Sequence, residues 1–138
     1  MGRVLARLSR QVELGLAEVD VSLSQYRMLG FLVEGEDAAA RLAEKLAVSP
    51  PSVTAMVDGL IARELVERRP DPADRRRHQL TVTAAGQRVL ADADAAVEEK
   101  LGALLGHLGA ADAKAARGSI RHWERALDRY RQLVRGAR

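Results

Sequence analysis

The side chains best suited to chemistry cluster between Ser49 and Thr83. Arg68, Arg69, Arg75, Arg76 and Arg77 put five guanidinium groups into residues 67–78, against Glu67, Asp71 and Asp74. A guanidinium is always charged and presents a planar fork of donors that suits phosphate oxygens and guanine edges. Just upstream, the Ser49, Ser52 and Thr54 hydroxyls can bond to bases or phosphates, and Ala55 offers a methyl contact. Asp58 can accept from cytosine, solvate the surface or cap a neighbour, and Arg63 adds one more cation. This is the chemistry of gripping a polyanion. Bond-breaking chemistry finds no such constellation. His78, His107 and His122 lack metal-ligand spacing and cysteine is absent. Asp92/Asp94 and Glu98/Glu99 are helical near-neighbours that point in different directions, and read best as an acidic surface. No Gly-rich phosphate loop or nucleophile elbow occurs. The expectation is a protein that is not an enzyme and needs neither cofactor nor metal.

Two local elements must position these groups. Val53, Val57, Leu60 and Ile61, with Met56 beside them, recur at helical spacing. That register leaves Ser52, Thr54, Ala55, Asp58, Gly59 and Arg63 outward, with no arginine or lysine in the middle of the face. Ser49 suits the N-cap and Pro50 the first helical position. Because Pro51 disfavours helical angles at Pro50, a start at Pro51 is the alternative. Both starts remove two N–H groups from the end where a helix normally offers donors to phosphate. Leu65–Arg69 and His78–Thr83 then read as two short strands around the turn-forming tip Pro70–Arg77. A helix followed by a basic hairpin suits duplex DNA, the helix in the major groove and the hairpin on the backbone or minor groove.

The flanking chain is helical by pattern. Val4, Leu5, Leu8, Val12, Leu16 and Val19 mark an amphipathic helix over residues 3–18. Ser24 is read as the N-cap of a second helix that ends at Gly35, and Asp37 as the N-cap of a third that ends near Ala47-Val48. Thr83 caps a long helix carrying Val89, Leu90, Val97, Leu101 and Leu104, with Gly106 and Gly109 bracketing its end. A last helix from about Ala110 carries Ile120, Trp123, Leu127, Tyr130, Leu133 and Val134. The apolar stripes at both ends of the chain need burial, and a second copy in a two-fold dimer is the economical answer.

Composition agrees. With only Phe31, Trp123, Tyr26 and Tyr130 aromatic, a core of Ala, Leu and Val favours helices. The 138 residues suit one domain or a compact unit with an appended dimer element, and the net charge is only +3, so charge distribution matters more than its total. Residues 117–138 hold seven arginines, and the four-residue repeat Arg117, Arg121, Arg125, Arg129 reads best as a solvated face balanced in part by acids of the preceding helix. No run approaches about 18 uncharged apolar residues. Met1-Gly2-Arg3 leads into the first helix without a signal-like apolar region. No membrane partner and a cytoplasmic location are expected.

This order of elements resembles the MarR family of winged helix-turn-helix transcriptional regulators. The most specific part is Asp71-Pro72-Ala73-Asp74-Arg75-Arg76-Arg77-His78-Gln79-Leu80-Thr81-Val82-Thr83-Ala84-Ala85-Gly86, which looks like the family's wing. Ala47–Pro50 with Val53-Thr54 looks like the start of its recognition helix, and Leu23–Leu29 is similar to its second helix. The resemblance implies a mainly α fold with a small β-hairpin wing, residues 21–86 forming the winged helix-turn-helix and residues 1–20 and 87–138 a helical dimerisation region. It implies a homodimer on double-stranded DNA with a pseudo-palindromic operator, and a small, often phenolic or anionic effector that releases the DNA. Arg76 would enter the minor groove, held by Asp74, while Arg68, Arg69, Arg75 and Arg77 contact phosphate. An effector region would lie near Leu14, Tyr26, Arg27 and Phe31, where Tyr26 and Arg27 meet an anion or simply pack. Two departures stand out. Ala55 and Gly59 occupy positions that are often basic in the family, and Glu64 replaces a glycine, so the turn into Leu65 loses its usual left-handed residue. The expected function is a dimeric, sequence-specific, ligand-responsive repressor. The alternative is a winged-helix interaction scaffold with weak or non-specific DNA binding.

Overall fold

Apolar residues spaced by three and four build the core of the computed structural model, which describes residues 1–36, 38–71, 73 and 78–136, without the side chains of 131 and 134–136. Six helices and one hairpin follow in order: α1 (Gly2–Ala17), α2 (Leu23–Val33), α3 (Ala39–Leu46), α4 (Pro50–Ala62), β1 (Val66–Pro70), β2 (His78–Val82), α5 (Ala84–Leu105) and α6 (Ala110–Gly136). The architecture is the mainly helical winged helix-turn-helix that the sequence implies. The chain divides into two compact units, residues 1–100 and 101–138.

In the first unit, Met28, Leu29 and Leu32 of α2, Leu42 and Leu46 of α3, and Val53, Val57 and Leu60 of α4 meet Leu65, Val66 and Val82 of the hairpin in one buried cluster. Met28, Leu29, Leu42 and Leu60 are completely buried. Removing several methylenes from such a site costs about 2–5 kcal/mol, so this cluster is what holds α4 and the hairpin in place. The strands pair antiparallel in the register Val66↔Val82, Arg68↔Leu80 and Pro70↔His78. Burial falls along β1 from Val66, which is buried, to Arg68, Arg69 and Pro70, which are exposed.

The first four helices stop in the same way. Val21 N–H bonds to Leu16 O, Glu36 to Phe31 O, Val48 to Ala43 O and Leu65 to Leu60 O, each reaching back five residues at 2.9–3.1 Å. The residue before each donor is left-handed: Asp20 (φ 54°), Gly35 (φ 85°), Ala47 (φ 55°) and Glu64 (φ 59°). This is the Schellman arrangement, which satisfies carbonyls that the helix end would orphan. Gly35 ends α2 as expected. Glu64 corrects the expectation for its own turn: the left-handed conformation survives without glycine, in a turn closed by the Leu65 N–H to Leu60 O bond between two buried leucines.

Helix starts differ in detail from the reading of the sequence. Ser22, not Ser24, caps α2: its hydroxyl accepts from Gln25 N–H at 3.1 Å, and Gln25 Oε1 accepts from Ser22 N–H at 3.0 Å. That reciprocal pair is a capping box. Ala38 occupies the N-cap of α3 without a side-chain bond, and Asp37 lies outside the described residues. Thr83 does cap α5, accepting from Gly86 N–H at 3.0 Å. Gly86 has no alternative there. A Cβ on it would overlap the Leu65 carbonyl oxygen and sit 2.7 Å from Val82 Cγ1.

α5 packs on α1 and α2 within the first unit. A Cβ at Gly15 would lie 2.9 Å from Ala96 O. Lys100 Nζ meets Glu18 Oε1 at 2.5 Å, which holds the ammonium's pKa above its usual value. Much of α1 stays uncovered: Val4 and Leu5 are half exposed, while Leu16 is buried. In the second unit none of the described side chains is buried, and Ile120, Trp123, Leu127, Tyr130 and Leu133 of α6 face outward. Among the described residues no helix is long and apolar enough to cross a membrane.

Candidate nucleic-acid interface

α4 begins at Pro50, the first of the two starts the sequence allows. Ser49 is the N-cap, its hydroxyl 3.4 Å from Ser52 N and 2.8 Å from Ser52 Oγ. Pro50 and Pro51 carry no N–H, Ser52 N–H points to Ser49, and Val53 N–H bonds to Ser49 O. The first turn therefore has no backbone donor left for a phosphate, and its hydroxyls are the polar groups that remain. Thr54 Oγ1 donates to Pro50 O at 3.3 Å, closing that turn.

The outward register holds: Ser52, Thr54, Ala55, Asp58, Gly59 and Arg63 are all exposed. A Cβ on Gly59 would meet nothing within 4 Å, so nothing in the fold requires glycine there. The charged members of this face are already engaged within the chain. Arg68 Nη2 donates to Asp58 Oδ1 at 2.9 Å, joining hairpin to helix. Arg69 Nη2 lies 2.6 Å from Glu67 Oε1, two residues away on the same side of β1. Arg63 donates to Gln25 Oε1 at 3.4 Å and lies 3.7 Å from Asp20 Oδ2, at the junction of α1 and α2. Asp74, Arg75, Arg76 and Arg77 lie outside the described residues. At the near side of the tip, Asp71 Oδ1 accepts from Ala73 N–H at 2.8 Å, a local turn bond of the Asx type.

One buried charged cluster was not foreseen from the sequence. Glu36 is 8% exposed, and its carboxylate meets Lys45 Nζ at 3.2 Å and Arg41 Nε at 3.8 Å. Lys45 Nζ also sits 4.8 Å from the Phe31 ring centre, and Arg27 donates to Lys45 O at 2.6 Å. This cluster fastens the end of α2 to α3 and so sets the platform from which α4 departs. An acid one residue after a glycine carries no local sign of burial, and only the fold reveals it.

Tyr26 and Arg27 separate. Tyr26 Oη donates to Asp94 Oδ1 of α5 at 2.5 Å, and burial, then this bond, push the phenol's pKa well above its usual value. Arg27 turns toward α3 instead, so the two do not converge on one anion. An open groove of about 400 Å³ lies between the end of α2, β2 and the start of α5, lined by Leu32, Val33, Leu80, Thr81 and Gln87. Leu14, Tyr26, Arg27 and Phe31 do not line it.

A sequence profile of the MarR family matches residues 19–77. An uncharacterised helix-turn-helix-type transcriptional regulator of Mycobacterium leprae is 34% identical over 96 residues, 69% of this chain and 67% of that protein. The chain belongs to the MarR family. It is a winged-helix transcriptional regulator and not an enzyme. Solved structures share the MarR-family fold. The structure of RV1404 from Mycobacterium tuberculosis has a TM-score of 0.74 at 24% identity, covering 90% of this chain and 84% of that one. A point mutant of MepR from S. aureus, solved bound to an oligodeoxyribonucleotide, has a TM-score of 0.65 at 19% identity, covering 91% and 93%.

Proposed function

We propose that this MarR-family chain is a homodimeric, sequence-specific DNA-binding repressor that works in the cytoplasm and answers to a small-molecule effector. The observation that carries the reading is the exposed face of α4, with Ser49, Ser52, Thr54 and Ala55 beside a hairpin whose Arg68 and Arg69 stay at the surface. α4 lies in the major groove, and hydroxyl and methyl contacts from these residues choose the sequence. Arg68, Arg69, Arg75 and Arg77 hold phosphate, Arg76 enters the minor groove with Asp74 beside it, and Arg63 steadies the far end of α4. A MepR mutant of S. aureus with this fold was solved bound to an oligodeoxyribonucleotide, which supports DNA as the partner.

Residues 21–86 serve as the DNA-binding domain and residues 1–20 with 87–138 as the dimerisation region. Support comes from the apolar residues left uncovered on α1 and from α6, a 27-residue helix without one described buried side chain. A helix of that kind draws its stability from packing against a partner. Two copies would set their recognition helices about 34 Å apart, to match successive major grooves. An effector would act by changing that separation.

A second reading, an interaction scaffold with weak or non-specific DNA binding, is favoured by the carboxylates already bound to Arg68 and Arg69 and by the bare Ala55 and Gly59. Fluorescence anisotropy with the duplex flanking the protein's own gene, against a scrambled duplex at two salt concentrations, separates them. Preferential binding that weakens steeply with salt upholds the repressor. Equal binding to both duplexes, or none at low salt, upholds the scaffold.

A further inference from the structure

Asp58 and Arg68 stand ten residues apart and are joined across the angle between recognition helix and wing. The contact is a single bond, Oδ1 to Nη2 at 2.9 Å, with the two side chains 59% and 53% exposed. An exposed pair of this kind contributes little to stability, because water and salt screen it. A carboxylate on the outward side of a helix that faces a polyanion also repels its target. Neither stability nor attraction therefore accounts for the placement.

Occupancy does. Free, Arg68 is a flexible cation that any passing phosphate can capture. Bonded to Asp58, it is held at one place and partly neutralised. A phosphate takes the guanidinium over only if the duplex arrives where Arg68 already waits, with α4 seated in its groove. A duplex lying loosely across the surface meets the carboxylate instead.

We propose that Asp58 is a positioning residue that acts on DNA through Arg68: its carboxylate stands in for a phosphate, holds the guanidinium between α4 and β1, and yields it to the backbone of a correctly seated duplex. The inference rests on the DNA-binding reading above and deepens it. It assigns Asp58 to selectivity between seated and unseated duplexes rather than to a cytosine.

The test uses full-length wild type, Asp58→Asn, Arg68→Gln and the double variant, each confirmed folded by circular dichroism. Binding to the own-gene duplex and to a scrambled duplex is followed by anisotropy between about 50 and 200 mM salt. Asp58→Asn should tighten scrambled binding about fivefold and own-gene binding less than about twofold, and Arg68→Gln should lower the salt slope by about one. In the Arg68→Gln background the Asp58→Asn effect should vanish, since it runs through that arginine. An Asp58→Asn gain that persists without Arg68 overturns the proposal in favour of plain repulsion. A loss confined to the own-gene duplex overturns it in favour of base reading, and unchanged binding overturns it outright. Wild type binding neither duplex at low salt removes the DNA-binding reading itself, a failure visible before any substitution is compared.

Discussion

The Thr83 hydroxyl donates to the Glu64 carbonyl at 2.7 Å while accepting from Gly86 N–H at 3.0 Å. Thr83 N–H also bonds to Leu65 O at 3.0 Å. One residue thus closes the hairpin, starts α5 and braces the turn that ends α4. Replacement by valine keeps the shape and removes both side-chain bonds. Thr83→Val should lose about 2 kcal/mol in urea unfolding, and Thr83→Ser should recover most of it.

Glu64 is held left-handed without the freedom of glycine. An L side chain there costs about 1 kcal/mol or slightly more. Glu64→Gly should stabilise the fold by about 1 kcal/mol, seen as a higher denaturant midpoint at unchanged slope. A fall in stability would show that the Glu64 side chain has a role the strain argument omits.

Lys45 is the nearer of two cations on a buried acid, its own side chain only 16% exposed. Lys45→Met keeps the stem's packing and removes the ammonium that lies 3.2 Å from the Glu36 carboxylate. The expected cost is about 3 kcal/mol, the low end for a broken buried pair. Adding Glu36→Gln should restore much of it. A double variant no better than the single one would rule out the uncompensated charge as the cause.

Tyr26 supplies a pH dependence. Its phenol ordinarily ionises near 10.0, and burial, then the Asp94 bond, raise it further in the folded chain. A group raised by folding stabilises fully below its unfolded pKa and loses that contribution as pH climbs toward the folded one. The advantage of wild type over Tyr26→Phe should therefore hold at about pH 8 and shrink by about pH 11. A constant difference between the two proteins would contradict the Tyr26–Asp94 bond.

Much of this was readable before folding because it depends on local rules. The spacing of Val53, Val57 and Leu60 shows which side of α4 is buried, and therefore which side Ser52, Ala55 and Asp58 occupy. The strand boundaries fell within a residue for the same reason. What escaped depends on distant chain returning. Asp58 meets Arg68 only because β1 folds back beside α4, and Arg63 is outward by register yet is drawn to Asp20 and Gln25 by the α1–α2 junction. The cap of α2 is a different case: Ser22 and Ser24 are both serines, and Gln25, three residues after Ser22, was the deciding local signal. The stops at Asp20, Ala47 and Glu64 carry no glycine to announce them. They are imposed by the burial of Val21 and Leu65 and the part-burial of Val48.

The two prolines that open α4 have a consequence for the entropy of recognition. Each ring fixes its φ near the helical value before any partner arrives. The first turn, where amides would otherwise fray, is ordered in the free chain, with Thr54 tied back to Pro50. A duplex that docks there has little disorder to suppress, so binding at this end of the helix loses less to conformational freezing. What the entrance gives up in backbone donors it regains as rigidity.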